Sequence, residues 1–347
     1  MSRREAFLDR AVGETRGVVL LDGQPERLIV ARDTDAPALV AGARSVARVE
    51  SVEAAIATAF LTLEGGAEAI LPLRPDAPRP VRGGAVEIEI RAEARRGKLA
   101  TAWLLGEAQG APRLLEPAPD VEAELARLIK DGRIATGRAA RVAADLAEAQ
   151  ALQTVHPLKG GGSIAIEQTR ALTAIDVDTG ARPGQDSKRV SRQANLEALS
   201  SAARLLRLKG IGGLIVFDLA GRGHDGTAML NAARAAFNPD NPGVSLGPIS
   251  RFGTLELTVP RRRAPVIERF LDQDGALLPE AAALRLARRL EDEGRADPGG
   301  RLTALCSPAA AAAFAALAPA LTERLGARFE VQAREGWPDD RLEVSAR

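Results

Sequence analysis

At 347 residues, 46% of them apolar, the chain has room for about two or three packed domains. It carries eight Phe, two Trp, no Tyr, two His and one Cys, so no four-ligand Cys/His zinc site and no internal disulfide can form, and extensive base stacking lacks its aromatics. With 47 basic against 46 acidic residues the formal charge is +1, which gives no global mark of a nucleic-acid or membrane binder, while the scarcity of Cys, His and Tyr leaves catalysis to carboxylates, Lys, Arg or hydroxyls.

From 13 to 105 the chain reads as short strands punctuated by Gly, Pro and Asp: 16–21, 27–31, 45–50, 54–63, 67–73, 85–91 and 98–104. Val86-Glu87-Ile88-Glu89-Ile90 alternates cleanly. Such a series predicts a small antiparallel barrel of the OB type, with Phe60 and Trp103 as its internal aromatics, serving either as core or as stacking platforms. A proline-punctuated stretch at 112–119 leads into two helices, 121–130 and 137–153, the first with Asp120 as N-cap.

From Gly160 the pattern becomes strands at 163–169 and 171–178, a helix at 187–209, a strand at 213–218, a helix at 226–237 and a strand at 254–259. That alternation predicts helices layered on a sheet. The last unit has helices at 279–291 and 308–325 and strands at 328–333 and 341–345.

Chemistry concentrates in the middle. The apolar strand ending Ile175-Asp176-Val177-Asp178 puts two carboxylates on one face, and Val216-Phe217-Asp218 ends the next strand in a third, 42 residues after Asp176. Strands joined by one helix should be neighbours with both carboxyl ends at one sheet edge, where sites form in open α/β sheets. Clustered carboxylates need a cation, and oxygen-only ligands favour Mg²⁺, or Mn²⁺, over zinc. The competing reading makes Asp178 and Asp218 turn or cap residues.

Seven basic residues, among them Arg182, Lys188, Arg189 and Arg192, against two acidic ones lie between Ala181 and Gly212. Arg251 and Arg261, Arg262 and Arg263 flank the strand 254–259. Basic surroundings around an acidic pair suit a metal-dependent enzyme acting on a polyanion; a solvated helix face is the alternative. Lys159-Gly160-Gly161-Gly162-Ser163 lacks the ending of a phosphate loop and reads as a tight turn. His224, in a glycine-rich loop after Asp218, reads as an exposed loop histidine.

Gly161 to Asp178 (GGSIAIEQTRALTAIDVD), Asn195-Leu196-Glu197-Ala198, Leu206 to Asp218 (LRLKGIGGLIVFD) and Ile249 to Glu256 (ISRFGTLE) together resemble the catalytic core of the ribonuclease E/G family. The resemblance is close over about 155–263 and weaker over the barrel, at Arg48 to Ala55 and Ile70 to Leu73. It implies a multidomain α+β chain: an OB-type RNA-binding barrel over 13–105, a helical connector over 106–154 in place of a longer RNase H-like and sensor region, a DNase I-like α/β core over 155–263 and a small α/β carboxy-terminal subdomain over 264–347.

The activity it implies is Mg²⁺-dependent endonucleolytic hydrolysis of single-stranded RNA, in RNA processing, including rRNA processing, or decay. By the same resemblance Asp176 and Asp218 hold the metal, and Asp178, standing where the family has asparagine, assists. Arg182, Lys188, Arg189, Arg192, Arg251, Arg261, Arg262, Arg263 and Phe60 are expected to contact RNA. Other positions depart from the family pattern: Gly221 replaces an acidic residue, Lys188 and Arg189 replace glutamates, and the cysteines of the zinc-link are missing from 265–300. No structural zinc is therefore expected, and a homo-oligomer would have to form without that link. The rival functions are an RNA-binding homologue without catalysis and a nuclease acting on DNA. With no apolar run of membrane-spanning length, a soluble cytoplasmic protein is expected.

Overall fold

The computed structural model describes residues 3–129, 132–181, 186–222 and 224–347. Arg182 lies outside the described residues. The protein is a mixed α+β chain with a closed five-stranded barrel in its amino-terminal region.

Three antiparallel strands open it: β1 (Arg4–Ala11), β2 (Glu14–Leu21) and β3 (Gln24–Arg32). The barrel follows, built from β4 (Arg44–Glu53), β5 (Thr58–Thr62), β6 (Glu68–Pro72), β7 (Ala85–Ala92) and β8 (Ala100–Ala108), with β9 (Arg113–Glu116) appended to β4. It closes because β4 pairs with β5 on one side and β7 on the other. Alternation does the rest: Val86, Ile88 and Ile90 point inward while Glu87, Glu89 and Arg91 point out. Large and small side chains oppose each other across strands, Ala59 against Leu71 and Leu61 against Ala69, which fits a narrow bore.

Next come α1 (Val121–Ile129), β10 (Ile134–Ala135) and α2 (Arg138–Leu152). β10 pairs in parallel with β1, so this segment completes the first sheet, and the barrel interrupts it. Val121 and Leu125 of α1 pack on Leu8, Val19 and Ile29 on one face, while Ala144, Ala147 and Ala151 of α2 join the main core on the other. The strands at 16–21 and 27–31, which sequence patterning groups with the barrel, thus belong to a different sheet. Alternation reveals which face of a strand is buried but not which strand it pairs with.

The central sheet has six strands in the order β11 (Val155–Pro157), β12 (Ser163–Gln168), β13 (Thr173–Asp178), β14 (Gly213–Asp218), β16 (Thr254–Val259), β15 (Ser245–Ile249). Only β13 and β14 are parallel, joined through α3 (Ser187–Lys209). α3 and α4 (Gly226–Phe237) cover one face, burying Ile164, Ile175, Ile215, Phe217, Leu255 and Leu257. The opposite face is open.

The chain ends with α5 (Val266–Phe270), α6 (Pro279–Ala296), β17 (Leu302–Cys306), α7 (Pro308–Phe314), α8 (Ala318–Leu325), β18 (Phe329–Ala333) and β19 (Glu343–Ala346). The stretch 308–325 is two helices rather than one, and β17 at the centre of the last sheet escapes the sequence pattern.

A buried ionic network ties these parts together. Arg16, 1% exposed, donates to Asp9 at 2.6 Å and to Glu148 at 2.8 Å, Arg141 reaches Glu291 at 2.8 Å, and Arg288 reaches Glu14 at 2.6 Å. Burial pushes the Asp9 carboxyl up, but Arg16 and Arg141 outweigh it and hold it below the ordinary carboxylate range.

Candidate active site

The parallel register of β13 and β14 sets Asp176 directly beside Asp218. Neighbouring strands lie about 4.8 Å apart, so the two carboxylates rise side by side. Ile175, Val177 and Phe217 turn inward, which sends Asp176, Asp178 and Asp218 to the open face. Register continues the row outward, with Ala165 beside Asp176 and Thr254 beside Asp218. These small neighbours leave space over the pair. Among the described residues neither Asp176 nor Asp218 has an ion-pair or side-chain hydrogen-bond partner. Two adjacent, unneutralised carboxylates attract a cation.

Asp178 lies one pleat further along the same face, opposite Ser163. Its Oδ1 accepts from the Gly180 amide at 2.9 Å and closes the turn that leaves β13. The Gly160–Gly162 turn packs against this exit. A Cβ on Gly162 would stand 2.1 Å from the Asp178 carbonyl oxygen, so only glycine fits there. The turn reading of Lys159 to Ser163 is met, with the Gly161 amide donating to the Leu158 carbonyl at 3.1 Å.

The basic residues divide into two groups. Lys188, Arg189 and Arg192 are exposed on the first turns of α3, which starts at the edge where Asp178 ends β13. Asp186 caps that helix, its carboxylate accepting from the Arg189 amide at 3.2 Å. Arg251 lies in the β15–β16 turn at the Asp218 end, its guanidinium 4.7 Å from the centroid of Phe252, which is 76% exposed.

Arg261, Arg262 and Arg263 follow the other end of β16, next to Gly213, where antiparallel pairing puts them a strand's length from Asp218, about 17 Å. Arg263 is a strut, paired with Glu124 of α1 at 2.5 Å and with Glu93 at 3.7 Å. The Arg261 guanidinium covers Gly213, where a Cβ would meet Nη2 at 2.0 Å. Flanking a strand in sequence therefore places the two basic groups at its opposite ends. Phe60 stands half-buried on the barrel exterior, paired with Ser51 and Ile70.

Two residues have surroundings that the sequence reading does not give. Asn195 of α3 is fully buried and clamps the loop after Asp218, its Nδ2 donating to the Ala220 carbonyl at 3.1 Å and its Oδ1 accepting from the Ala220 amide at 2.9 Å. A polar residue inside the apolar stripe Val190, Ala194, Ala198 is the signal that could have found it. His224 is the other. It is half-buried, and its Nε2 is sealed from solvent beside Gly253 in the β15–β16 turn, so it is not an exposed loop histidine.

Among the described residues no three His, Cys, Asp or Glu side chains converge to hold a metal. A cation at Asp176 and Asp218 would take two carboxylates and fill its other positions from water or substrate, the donor set that suits Mg²⁺. No helix among the described residues is long and apolar enough to cross a membrane.

The sequence model of the Ribonuclease E/G family matches residues 118–263, a span that contains both aspartates, α3 and the β15–β16 turn. Over this segment the chain is similar to the Ribonuclease E/G family. Ribonuclease E of Escherichia coli (strain K12) is 41% identical over 104 residues, covering 29% of this chain and 10% of that protein. Ribonuclease E of Haemophilus influenzae is 40% identical over 108 residues, covering 29% and 11%. Ribonuclease G of Salmonella typhimurium (strain SL1344) is 32% identical over 120 residues, covering 34% and 24%. The chain thus matches about a tenth of the length of the Ribonuclease E relatives and about a quarter of the Ribonuclease G relative. Within the segment that matches the Ribonuclease E/G family, the open sheet face carries two aspartates that are unpaired among the described residues.

Proposed function

We propose that the chain is a compact endoribonuclease that hydrolyses single-stranded RNA with Mg²⁺, or Mn²⁺ in its place, in RNA processing or decay. The observation that carries this reading is the in-register pair Asp176 and Asp218, without partners among the described residues, inside the segment that matches the Ribonuclease E/G family. Asp176 and Asp218 would hold the ion, which when bound polarises the phosphodiester and makes an attacking water more acidic. Asp178, already oriented by the Gly180 amide, assists from the same face. Lys188, Arg189, Arg192 and Arg251 bind phosphates on either side of the scissile bond, and Phe252 offers a ring beside it. Asn195 acts on Asp218 indirectly, by fixing the loop that follows it. Water adds at phosphorus as the bond to the 3′ oxygen breaks, leaving a 5′-phosphate and a 3′-hydroxyl.

On this reading the central sheet is a DNase I-like core and the barrel an OB-type RNA-binding domain. A second reading, an RNA-binding homologue without catalysis, draws support from Asp178, whose oxygen is engaged in a turn. Cleavage of a single-stranded RNA by the parent chain and by Asp218→Asn, with Mg²⁺ and with EDTA, decides between them. The expected result is Mg²⁺-dependent cleavage by the parent alone, with RNA binding retained in the variant. A variant as active as the parent would overturn the site.

A further inference from the structure

A hydroxyl proton that the fold leaves unused stands beside Asp218. β16 runs antiparallel to β14, and its first residue, Thr254, is paired directly with Asp218. Leu255 turns inward, so Thr254 shares the open face with the carboxylate. Side chains paired in this way have Cβ atoms about 4.5–5.5 Å apart. Among the described residues Thr254 Oγ1 has one hydrogen-bond partner, Ser250 Oγ at 2.7 Å, and makes no bond to Asp218.

The direction of that bond follows from the hydrogen-bonding capacity of Ser250. A serine hydroxyl has one proton and two lone pairs. The Phe252 and Thr254 amides both donate to Ser250 Oγ, each at 3.2 Å, and so take the lone pairs. The serine proton is therefore the one in the 2.7 Å bond, and Thr254 Oγ1 accepts it. That leaves the threonine proton for an acceptor on the open face, and the chain from amides to serine to threonine strengthens it as a donor. The turn that holds it is tied down. The Ser250 amide donates to the Thr254 carbonyl at 2.8 Å, the Gly253 amide to the Ser250 carbonyl at 3.0 Å, and the Leu219 amide, next after Asp218, to the Gly253 carbonyl at 3.3 Å. Hydroxyl and carboxylate thus belong to one hydrogen-bonded unit.

We propose that Thr254 is a catalytic residue, donating a hydrogen bond to a non-bridging oxygen of the scissile phosphodiester, and that Ser250 is the positioning residue that orients it. The inference rests on the reading of the site as one that hydrolyses RNA. As water adds at phosphorus and the bond to the 3′ oxygen breaks, charge shifts among the phosphoryl oxygens, and a donor already in place favours the transition state over the ground state. Asp176 and Asp218 cannot supply this contact, because ionised carboxylates only accept. Thr254 keeps its proton throughout.

Thr254→Val keeps the branched shape and removes the hydroxyl alone. On a single-stranded RNA with Mg²⁺, its kcat should fall by roughly 10- to 150-fold with KM nearly unchanged, and Thr254→Ser should recover most of the loss. Ser250→Ala should also lower kcat but add little to Thr254→Val in the double variant, because it acts through the same hydroxyl. The deciding readout replaces one non-bridging oxygen at the cut linkage with sulfur, a weaker acceptor, in each of the two stereoisomers. The parent should discriminate against sulfur in one isomer, and Thr254→Val should lose that discrimination while keeping any shown against the other. Parental kcat in a Thr254→Val protein that melts like the parent, or the same discrimination in both proteins, overturns this role and leaves the nuclease reading standing. A parent chain that binds RNA and cleaves none overturns the nuclease reading and this role with it.

Discussion

Two neighbouring carboxylates with no ion-pair partner among the described residues repel each other, and Asp218→Asn tests that repulsion without reference to catalysis. The parallel register puts Asp176 beside Asp218 on strands about 4.8 Å apart. At that separation in a water-like dielectric the repulsion is on the order of 1 kcal/mol at low salt, since both side chains face solvent. In EDTA the variant should therefore be more stable than the parent, by about 2 °C in melting temperature for a chain of this size. Metal reverses the order. At a Mg²⁺ concentration ten times its dissociation constant, binding stabilises the parent by about 1.4 kcal/mol, or about 3 °C, and the variant, with half the ligand set, by much less. Differential scanning calorimetry of both proteins across a Mg²⁺ series, with Ca²⁺ and NaCl at matched ionic strength as controls, reads both effects. A Mg²⁺ shift of equal size in parent and variant, or none in the parent, would refute the assignment of the pair as a metal site.

Removing the Asn195 amide leaves the Ala220 amide and carbonyl without partners, so Asn195→Ala should cost about 2 kcal/mol in urea unfolding and lower kcat more than it raises KM. A variant with parental kcat would show that the loop after Asp218 needs no clamp. Arg16→Met strips a direct partner from buried Asp9 and Glu148 and is expected to cost about 3–5 kcal/mol, against less than about 0.5 kcal/mol for exposed Arg192→Ala, both by denaturant titration. His156 gives a pH signature. Burial, with Lys209 nearby, lowers its pKa from 6.5 to about 4, while Nε2 contacts the Gln153 carbonyl at 3.1 Å and Nδ1 is buried without a partner among the described residues. Because the folded pKa lies below the unfolded one, the unfolded chain binds more protons between these values and stability falls as pH drops from 6.5 toward 4. After allowance for solvent screening the loss between pH 7 and 5 should be about 1–2 kcal/mol and should disappear in His156→Phe; parallel profiles would refute it.

The aspartate pair was legible in the sequence because three local signals agree on it. Alternation sets the face of Asp176 and Asp178, the helix at 187–209 forces a crossover, and a crossover between adjacent strands makes them parallel and aligns Asp176 with Asp218. The barrel was legible for a similar reason, since short alternating strands with turns between them have few ways to bury one face. The path of the chain between the sheets was not. β1, β2 and β3 alternate much as the barrel strands do, and nothing local states that residues 134–135 return to pair with β1 across the whole barrel. The long-range ties that enforce this return, Arg16 to Glu148 and Arg288 to Glu14, join residues 132 and 274 positions apart. The arginines show the same limit. Arg251 and Arg262 are close in sequence, but an antiparallel strand carries them to opposite ends of the sheet, one beside Asp218 and the other beside Gly213. Charge counted along the chain merges them into one basic patch, while the fold separates them. A phosphate held at Arg251 lies near the aspartates, and one held at Arg262 lies about a strand's length away, so the two arginines should differ in how their loss depends on RNA length.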